Sequence, residues 1–344
     1  MKPIDQHETP VGAVLRVTTV MSCADWLNAV RVRCNLGRMR YTVEPGLYAI
    51  GSPGADAPVF VSAKYKLSFD LLRRGLNGVD GWILVLDTKG INVWCAAGKG
   101  TFGTEELVRK IAVVRLAEVV RHREVIVPQL GAPGIAAHDV AGRTGFSVIF
   151  GPVRASDIPA FLAAGRNAVP AMRRVTFDLG DRLAVIPVEL TIGFKWFPLL
   201  LVVMAWASGL NRHGYYPGAI RDTLPLLAGW LCAAYLAGGA ITPLLLPWLP
   251  GRSFSVKGAW AGLGAAGGLM AYGALVESRL LMAALVCVLV ATTSFVAMNF
   301  TGASTYTSQS GVKKEMRVAI PLQAAVLAAG IILWVAGMWM RSMT

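Results

Sequence analysis

Trp82-Ile-Leu-Val-Leu-Asp87 runs into Thr88-Lys-Gly-Ile-Asn-Val-Trp-Cys-Ala-Ala-Gly-Lys-Gly-Thr-Phe-Gly103, and Thr104–His122 comes next with helical periodicity. The first six residues are a short apolar run of the kind that forms a buried strand. The segment Thr88–Gly103 is small, glycine-rich and polar, as expected at the carboxyl end of a strand. Further runs of strand type are Val59–Ala63, Val125–Pro128 and Phe146–Phe150. Helical patterns at Ser68–Leu76, Ala136–Ala141 and Asp157–Ala164 alternate with them. Tyr41–Ile50 and Arg182–Leu190 are candidate edge strands. Strand–helix alternation predicts a mostly parallel sheet covered on both faces, a Rossmann-like α/β domain over residues 1–190.

The rest of the chain differs in kind. Residues 1–195 carry 24 Lys/Arg and 17 Asp/Glu, whereas residues 196–344 carry 9 and 3. The whole chain is 55% hydrophobic and 15% charged, with mean hydropathy +0.54, which excludes a disordered or wholly soluble protein. Five apolar stretches, near 192–211, 223–249, 258–276, 280–300 and 318–340, predict an all-α transmembrane bundle over residues 191–344. Pro225, Pro243 and Pro247 mark kinks or frayed ends in the second.

Arg252, Lys257, Lys313, Lys314 and Arg317 fall on one side of these spans; Arg212, Arg221, Arg279 and Arg341 fall on the other. The positive-inside bias places the N-terminal domain in the cytoplasm and the C-terminus outside, in a multi-pass inner-membrane protein. Met1–Pro10 is polar and acidic, so no signal peptide is expected. The net charge of +13 fits attraction to anionic lipid, and without a basic stretch interleaved with aromatics no nucleic-acid partner is expected. The spans carry almost no buried charge, since Asp222, Glu277 and Glu315 fall in loops and Lys195 can snorkel to the headgroups, which reads as an anchor or docking platform rather than a transport path. The polar loop Thr301–Val312, before Lys313-Lys314-Glu315, is either a connector or a surface for the soluble domain or a partner.

Gly98-x-Gly100-x-x-Gly103 has the form of a dinucleotide fingerprint. Ten residues separate it from the strand, however, and the next strand ends in Pro128-Gln129 rather than an acidic residue. The intervening residues read as a very short helix with Asn92 as N-cap, bonding Trp94 or Cys95 N–H, and Gly98 just past its end. Cys95 then lies in the first turn, where unpaired N–H groups favour a thiolate, with Lys99 near it. Ala96 and Ala97 leave room for a broad flat ligand against the backbone. A buried structural cysteine is an equally good account of the spacing. The five cysteines (Cys23, Cys34, Cys95, Cys232 and Cys287) contain no CxxC pair, which argues against an iron–sulfur cluster or zinc knuckle. Cys232 and Cys287 read as packing residues within spans. Adjacent His138 and Asp139 read as a solvated pair, because neighbouring residues are poorly oriented for a catalytic dyad.

Asn92-Val-Trp-Cys-Ala-Ala-Gly-Lys99 resembles the cap helix of the mercury-methylating corrinoid family HgcA, related to the corrinoid iron–sulfur protein of the acetyl-CoA pathway. The similarity continues through Glu44-Pro-Gly-Leu-Tyr48, Ser62–Asp70, Gly90–Leu107, Gln129-Leu-Gly-Ala-Pro-Gly134, Gly151-Pro-Val-Arg154 and the hydroxyl-rich loop before Lys313-Lys314-Glu315-Met316. The resemblance implies a cobalamin-type corrinoid held without its lower base, with Cys95 as lower axial cobalt ligand. It also implies contacts from Asn92, Val93, Trp94, Cys95, Ala96, Ala97, Gly98 and Lys99, and from Ser62 and Ser68 at matching hydroxyl positions. The implied activity is methyl transfer from cobalt to Hg(II), giving methylmercury. The methyl donor would be of the methyl-tetrahydrofolate type, and a small iron–sulfur ferredoxin, HgcB, would be the redox partner. A methyl carrier for another acceptor, or a membrane NAD-linked oxidoreductase, are the alternative readings.

Overall fold

The computed structural model describes residues 5–211, 213–274, 276, 278–300 and 309–340. The chain divides into two compact units: residues up to Thr176 except Arg33–Asn35, and Arg33–Asn35 with Phe177 onwards.

The first unit is built from β1 (Asp5–Thr9), β2 (Gly12–Val17), α1 (Cys23–Arg33), β3 (Gly46–Ile50), β4 (Val59–Ala63), α2 (Lys66–Gly75), β5 (Gly81–Leu86), α3 (Val93–Gly98), α4 (Thr104–Val113), α5 (Leu116–Val119), β6 (Glu124–Val127), α6 (Ala137–Thr144), β7 (Ser147–Phe150) and α7 (Ile158–Ala163). Its seven strands form one sheet in the order β1-β2-β3-β5-β4-β6-β7. β5, β4, β6 and β7 are mutually parallel, whereas β1 is antiparallel to β2 and β3 to β5. β2 and β3 are parallel to each other, so the sheet is mixed: a parallel block β5-β4-β6-β7 meets a parallel pair β2-β3 across the antiparallel β3–β5 junction. Alternate residues of each strand face opposite sides. Val59, Val61, Leu84 and Val125 join one core with Ala96, Phe102 and Leu107; Phe60, Ile83 and Ile126 join another with Phe69, Leu72 and Phe161.

Several local expectations change. Only Gly46–Ile50 of the Tyr41–Ile50 run is a strand, and it lies inside the sheet, where it pairs with β2 and β5. Thr104–His122 is not one helix, because Arg115 adopts a left-handed conformation (φ 50°) between α4 and α5. Arg182–Leu190 is helical, not an edge strand.

That last segment belongs to α8 (Leu179–Gly193), which opens the second unit. Asp178 caps it by accepting a hydrogen bond from the Asp181 N–H at 3.0 Å. Its apolar content matches a helix as well as a strand, and length with a capping residue decides between them. α9 (Phe197–Ala207), α10 (Gly218–Leu236), α11 (Thr242–Leu245), α12 (Phe254–Ala271), α13 (Arg279–Asn299) and α14 (Gln309–Met340) follow. Among the described residues, four helical segments are long and apolar enough to cross a membrane: Leu179–Ala207, Gly218–Leu245, Arg279–Asn299 and Gly311–Met340. The first is thus a 29-residue segment rather than a short one, and the third expected span corresponds to the 18-residue, glycine-rich α12. Within the second, a π turn at Ala237–Ile241 interrupts the helix.

Glycine allows α12 and α14 to approach α13. A Cβ on Gly258 would lie 2.5 Å from the Ala297 Cβ, and one on Gly330 would lie 2.9 Å from a Val288 methyl. Buried hydroxyls and amides pair across the helices: Ser294 Oγ donates to Ser255 O at 2.8 Å, and Gln323 Nε2 donates to Ser294 Oγ at 2.8 Å. Arg182 is a buried cation of this unit; it donates to the Leu244 carbonyl and lies over the Trp248 ring. Most of the expected polar loop Thr301–Val312 lies outside the described residues, and α14 already begins at Gln309.

Candidate functional site

Because β4, β5, β6 and β7 run in parallel, their carboxyl ends lie along one edge of the sheet. The segments that come after them are Lys64–Ser68, Asp87–Gly103, Gln129–Gly134 and Gly151–Arg154. This edge gathers nearly every stretch singled out in the sequence, and it is where open α/β sheets bind ligands.

At its centre lies α3. Asn92 Oδ1 accepts the Cys95 N–H at 2.9 Å, the N-cap expected from the sequence. Val93, Ala96 and Ala97 turn into the core, which exposes Cys95 and leaves Trp94 38% exposed. The cysteine is therefore not a buried structural one. Gly98 and Lys99 are also exposed. The chain leaves the helix differently from the expectation: Gly98 is its last residue, Lys99 is the C-cap, and the left-handed residue is Gly100 (φ +77°). Thr101 and Phe102 N–H groups both donate to Ala96 O, at 3.0 and 3.1 Å, and fold the exit back on the helix.

α3 is held from behind by residues the sequence reading did not single out for that role. Phe102 is fully buried against the turn Gln129–Gly134, a 3-10 segment. A Cβ on Gly131 would lie 2.4 Å from the Phe102 ring; one on Gly134 would lie 2.1 Å from Phe102 O and 3.2 Å from Ala97 Cα. Thr104 Oγ1 accepts the Ala136 N–H at 2.8 Å and ties the same turn to α4. From α4, Glu106 Oε1 accepts the Asp87 N–H at 2.8 Å and fixes the loop after β5.

Asp87 meets Lys89 Nζ at 3.0 Å and Lys64 Nζ at 3.9 Å. Burial alone raises its pKa, but the hydrogen bonds from Lys89 outweigh that and hold the carboxyl below the usual carboxylate value. Ser62 is 2% exposed near the end of β4 and Ser68 is half-buried in the first turn of α2. Neither hydroxyl makes a side-chain hydrogen bond among the described residues. Ser62 shares its sheet face with Phe60 and α2, whereas α3 packs on the other face. The structure thus brings the two serines and Cys95 to one edge rather than into contact.

A buried ion network, absent from the sequence reading, fixes the α2 end of this edge. Lys66 Nζ meets Asp25 at 2.9 Å and Asp70 at 2.6 Å; Arg73 meets Asp70 at 2.8 Å and Asp25 at 2.9 Å. Tyr41 Oη donates to Asp70 at 3.1 Å. Burial by itself raises the Asp25 pKa, yet hydrogen bonds from Lys66 and Ser22 overcome it and hold the carboxyl well below its usual range. The i, i+4 and i, i+3 spacing of Lys66, Asp70 and Arg73 was visible; the long-range partner Asp25 was not.

The remaining candidates lie apart. His138 Nε2 does reach Asp139 Oδ1, at 3.1 Å, against the expectation that adjacent residues are poorly oriented for it. Both are exposed, at 86% and 52%. Cys232 is exposed on α10 and Cys287 half-buried on α13. A cavity of about 480 Å³ lies at the opposite edge of the sheet, between the β1–β2 hairpin and the amino ends of β5 and β6, well away from Cys95. The glycines of the apparent fingerprint close and follow α3 rather than follow a strand, so they do not form the strand–turn–helix cradle of a dinucleotide site.

Residues 29–162 match the family model of the CO dehydrogenase/acetyl-CoA synthase delta subunit. The acetyl-CoA decarbonylase/synthase complex subunit gamma of Archaeoglobus fulgidus is 34% identical over 122 residues, covering 35% of this chain and 26% of that protein. The corrinoid/iron-sulfur protein large subunit of Moorella thermoacetica is 30% identical over 124 residues, covering 36% of this chain and 27% of that protein. The α/β unit is related to the corrinoid protein of the acetyl-CoA pathway. The match spans about a quarter of the length of these relatives, and none of the apolar helices falls within it.

Proposed function

We propose that this chain is a membrane-anchored corrinoid-dependent methyltransferase, with Cys95 as the lower axial ligand to cobalt and Hg(II) as the methyl acceptor. The observation that carries the reading is the exposed Cys95 on the outward side of a pinned, capped α3, at the ligand-binding edge of a unit related to corrinoid proteins. A corrinoid needs an accessible soft donor and an open approach for a broad ring, and the residues present fit it. Cys95 offers sulfur to solvent, the flanking Ala96 and Ala97 face inward, and no bulky side chain of α3 other than Trp94 stands beside the thiol.

A bound corrinoid supplies a cobalt that carries a methyl group between a donor and an acceptor. The chain's own part is positional. Asn92 fixes the turn that presents Cys95, and Phe102, Gly131 and Gly134 hold that turn against the sheet. Cys95 would hold the group through a soft, electron-donating sulfur, a donor suited to methyl delivery to an electrophile such as Hg(II). Ser62 and Ser68 are assigned to the ring periphery or its tail, and Val93, Ala96 and Ala97 to seating the helix. The absence of a CxxC pair leaves reduction to a separate iron–sulfur ferredoxin of the HgcB type, and the donor is assigned to the methyl-tetrahydrofolate class.

The C-terminal helices are assigned as five spans of the inner membrane, with α12 as the third, the N-terminal unit in the cytoplasm and the C-terminus outside. A carrier that delivers methyl to another acceptor is the second reading, and the complex subunits among the relatives favour it.

The test uses the purified full chain. Its visible spectrum is expected to show a corrin. Cys95→Ala should abolish methylmercury formation from Hg(II) in the presence of donor and ferredoxin. Cys95→His should retain corrin with a shifted spectrum. A wild-type spectrum and rate in Cys95→Ala overturn the ligand assignment. Methyl loss that is indifferent to Hg(II) overturns the acceptor and leaves the carrier.

A further inference from the structure

α1 is apolar on two opposite faces, and only one of them is used. Asp25, Ala29 and Val32 are buried, and Asp25 pairs there with Lys66 and Arg73 of α2. Cys23, Trp26, Leu27 and Val30 have the i, i+3, i+4, i+7 spacing that makes a single stripe on the other face. That stripe is solvent-facing: Trp26 is 49%, Leu27 72% and Val30 59% exposed. Leu36 and Met39, in the segment after the helix, are exposed apolar side chains as well.

Cations accompany it. Arg31 and Arg40 are exposed, and Arg74 reaches from α2 over the Trp26 ring, 5.2 Å from its centre. None of the three pairs with a carboxylate among the described residues. The acidic residue of α1, Asp25, is turned inward and consumed by Lys66 and Arg73. The outer face of α1 therefore carries apolar and cationic side chains and no carboxylate. A tryptophan and aliphatic side chains on one face of a short helix, flanked by arginines from the same helix and its neighbours, match the interface of an anionic bilayer.

We propose that the outer face of α1, with the exposed Leu36 and Met39 after it, docks the α/β unit on an anionic lipid surface. Two features favour lipid over a protein partner. The charges have one sign, complementary to anionic headgroups. The unit also ends at Thr176, and the first membrane-length helix begins at Leu179, so the chain itself tethers the unit close to a bilayer. Docking of this kind restrains the orientation of the unit beyond what its tether imposes, independently of any methyl-transfer chemistry.

The test places a photoreactive benzophenone, Leu27→p-benzoylphenylalanine, in the full chain reconstituted in vesicles of phosphatidylethanolamine and phosphatidylglycerol. After irradiation, intact mass is expected to show a phospholipid adduct. The same probe at Val113, exposed on α4, is expected to show little. Arg31→Glu with Arg74→Glu should cut the Leu27 adduct at least about fivefold in these vesicles and leave it unchanged in phosphatidylcholine. Adducts to a second copy or within the chain, equal lipid labelling at both positions, or no response to charge reversal each overturn the proposal. Both arginines and Leu27 are exposed, so folding does not confound the outcome.

Discussion

Replacing Gly134 with alanine tests whether the turn after β6 is what holds α3 in place. The new Cβ falls 2.1 Å from the Phe102 carbonyl oxygen and 3.2 Å from Ala97 Cα, so backbone atoms of the α3 exit must move by more than an ångström to reach ordinary contact. Overpacking of this kind costs about 1–3 kcal/mol. Loss of glycine's freedom in the unfolded chain returns about 0.4–1 kcal/mol. The net of about 1–2 kcal/mol corresponds to local opening about 5–30 times more frequent. The reporters are the Thr101 and Phe102 amides, which both donate to Ala96 O. Hydrogen exchange by mass spectrometry on peptides covering residues 92–103, in detergent-solubilised full chain, should show that acceleration. Gly142→Ala is the control: its Cβ meets nothing within 4 Å, and in α6 it should stabilise by about 0.5–1 kcal/mol. Exchange in Gly134→Ala within about twofold of wild type would refute the idea that this close approach pins the cysteine-bearing helix.

Asn92→Ala removes the one side-chain cap of α3 and should cost about 1 kcal/mol locally, read as faster exchange of the Cys95 amide with the sheet amides unchanged. Asp25→Asn leaves Lys66 and Arg73 sharing one carboxylate and should destabilise the α/β unit by about 3–5 kcal/mol in denaturant titrations. Because the folded-state pKa of Asp25 is depressed, the stability it contributes is complete above its unfolded value near 4 and is lost as pH falls below that. The wild type should therefore lose stability on acidification more steeply than Asp25→Asn. Reporter fusions after Lys257 and after Thr344 should report opposite sides of the membrane; same-side signals would remove a span, with α12 the first to be reconsidered.

Apolar runs bounded by turn residues were enough to locate β4, β5, β6 and β7, because a buried parallel strand must be apolar on both faces. The small residues around Cys95, with Asn92 one turn earlier, were enough to place a capped short helix, since capping chemistry is local. Four of the five apolar stretches were legible as parts of membrane-length helices for a similar reason, because apolar length is a property of each segment alone. What escaped the sequence depended on residues far apart in it. Arg182–Leu190 has the composition of a strand and is helical because it lies within a 29-residue apolar helical segment whose start Asp178 caps. The antiparallel β1–β2 hairpin and the interior place of β3 arise from strand pairing, which no single run encodes.

The sequence by itself determined which residues could serve chemistry: a lone cysteine in a small-residue turn, set beyond an apolar strand. Only the tertiary structure decided that this cysteine faces outward. That outcome depends on Val93, Ala96 and Ala97 finding a core to enter, and on a turn some forty residues later that has glycine where any side chain would collide. It likewise decided that Asp25, Lys66, Asp70 and Arg73 neutralise one another. Four charges can be buried together only when the fold delivers all of them to one place, because each alone would remain in water.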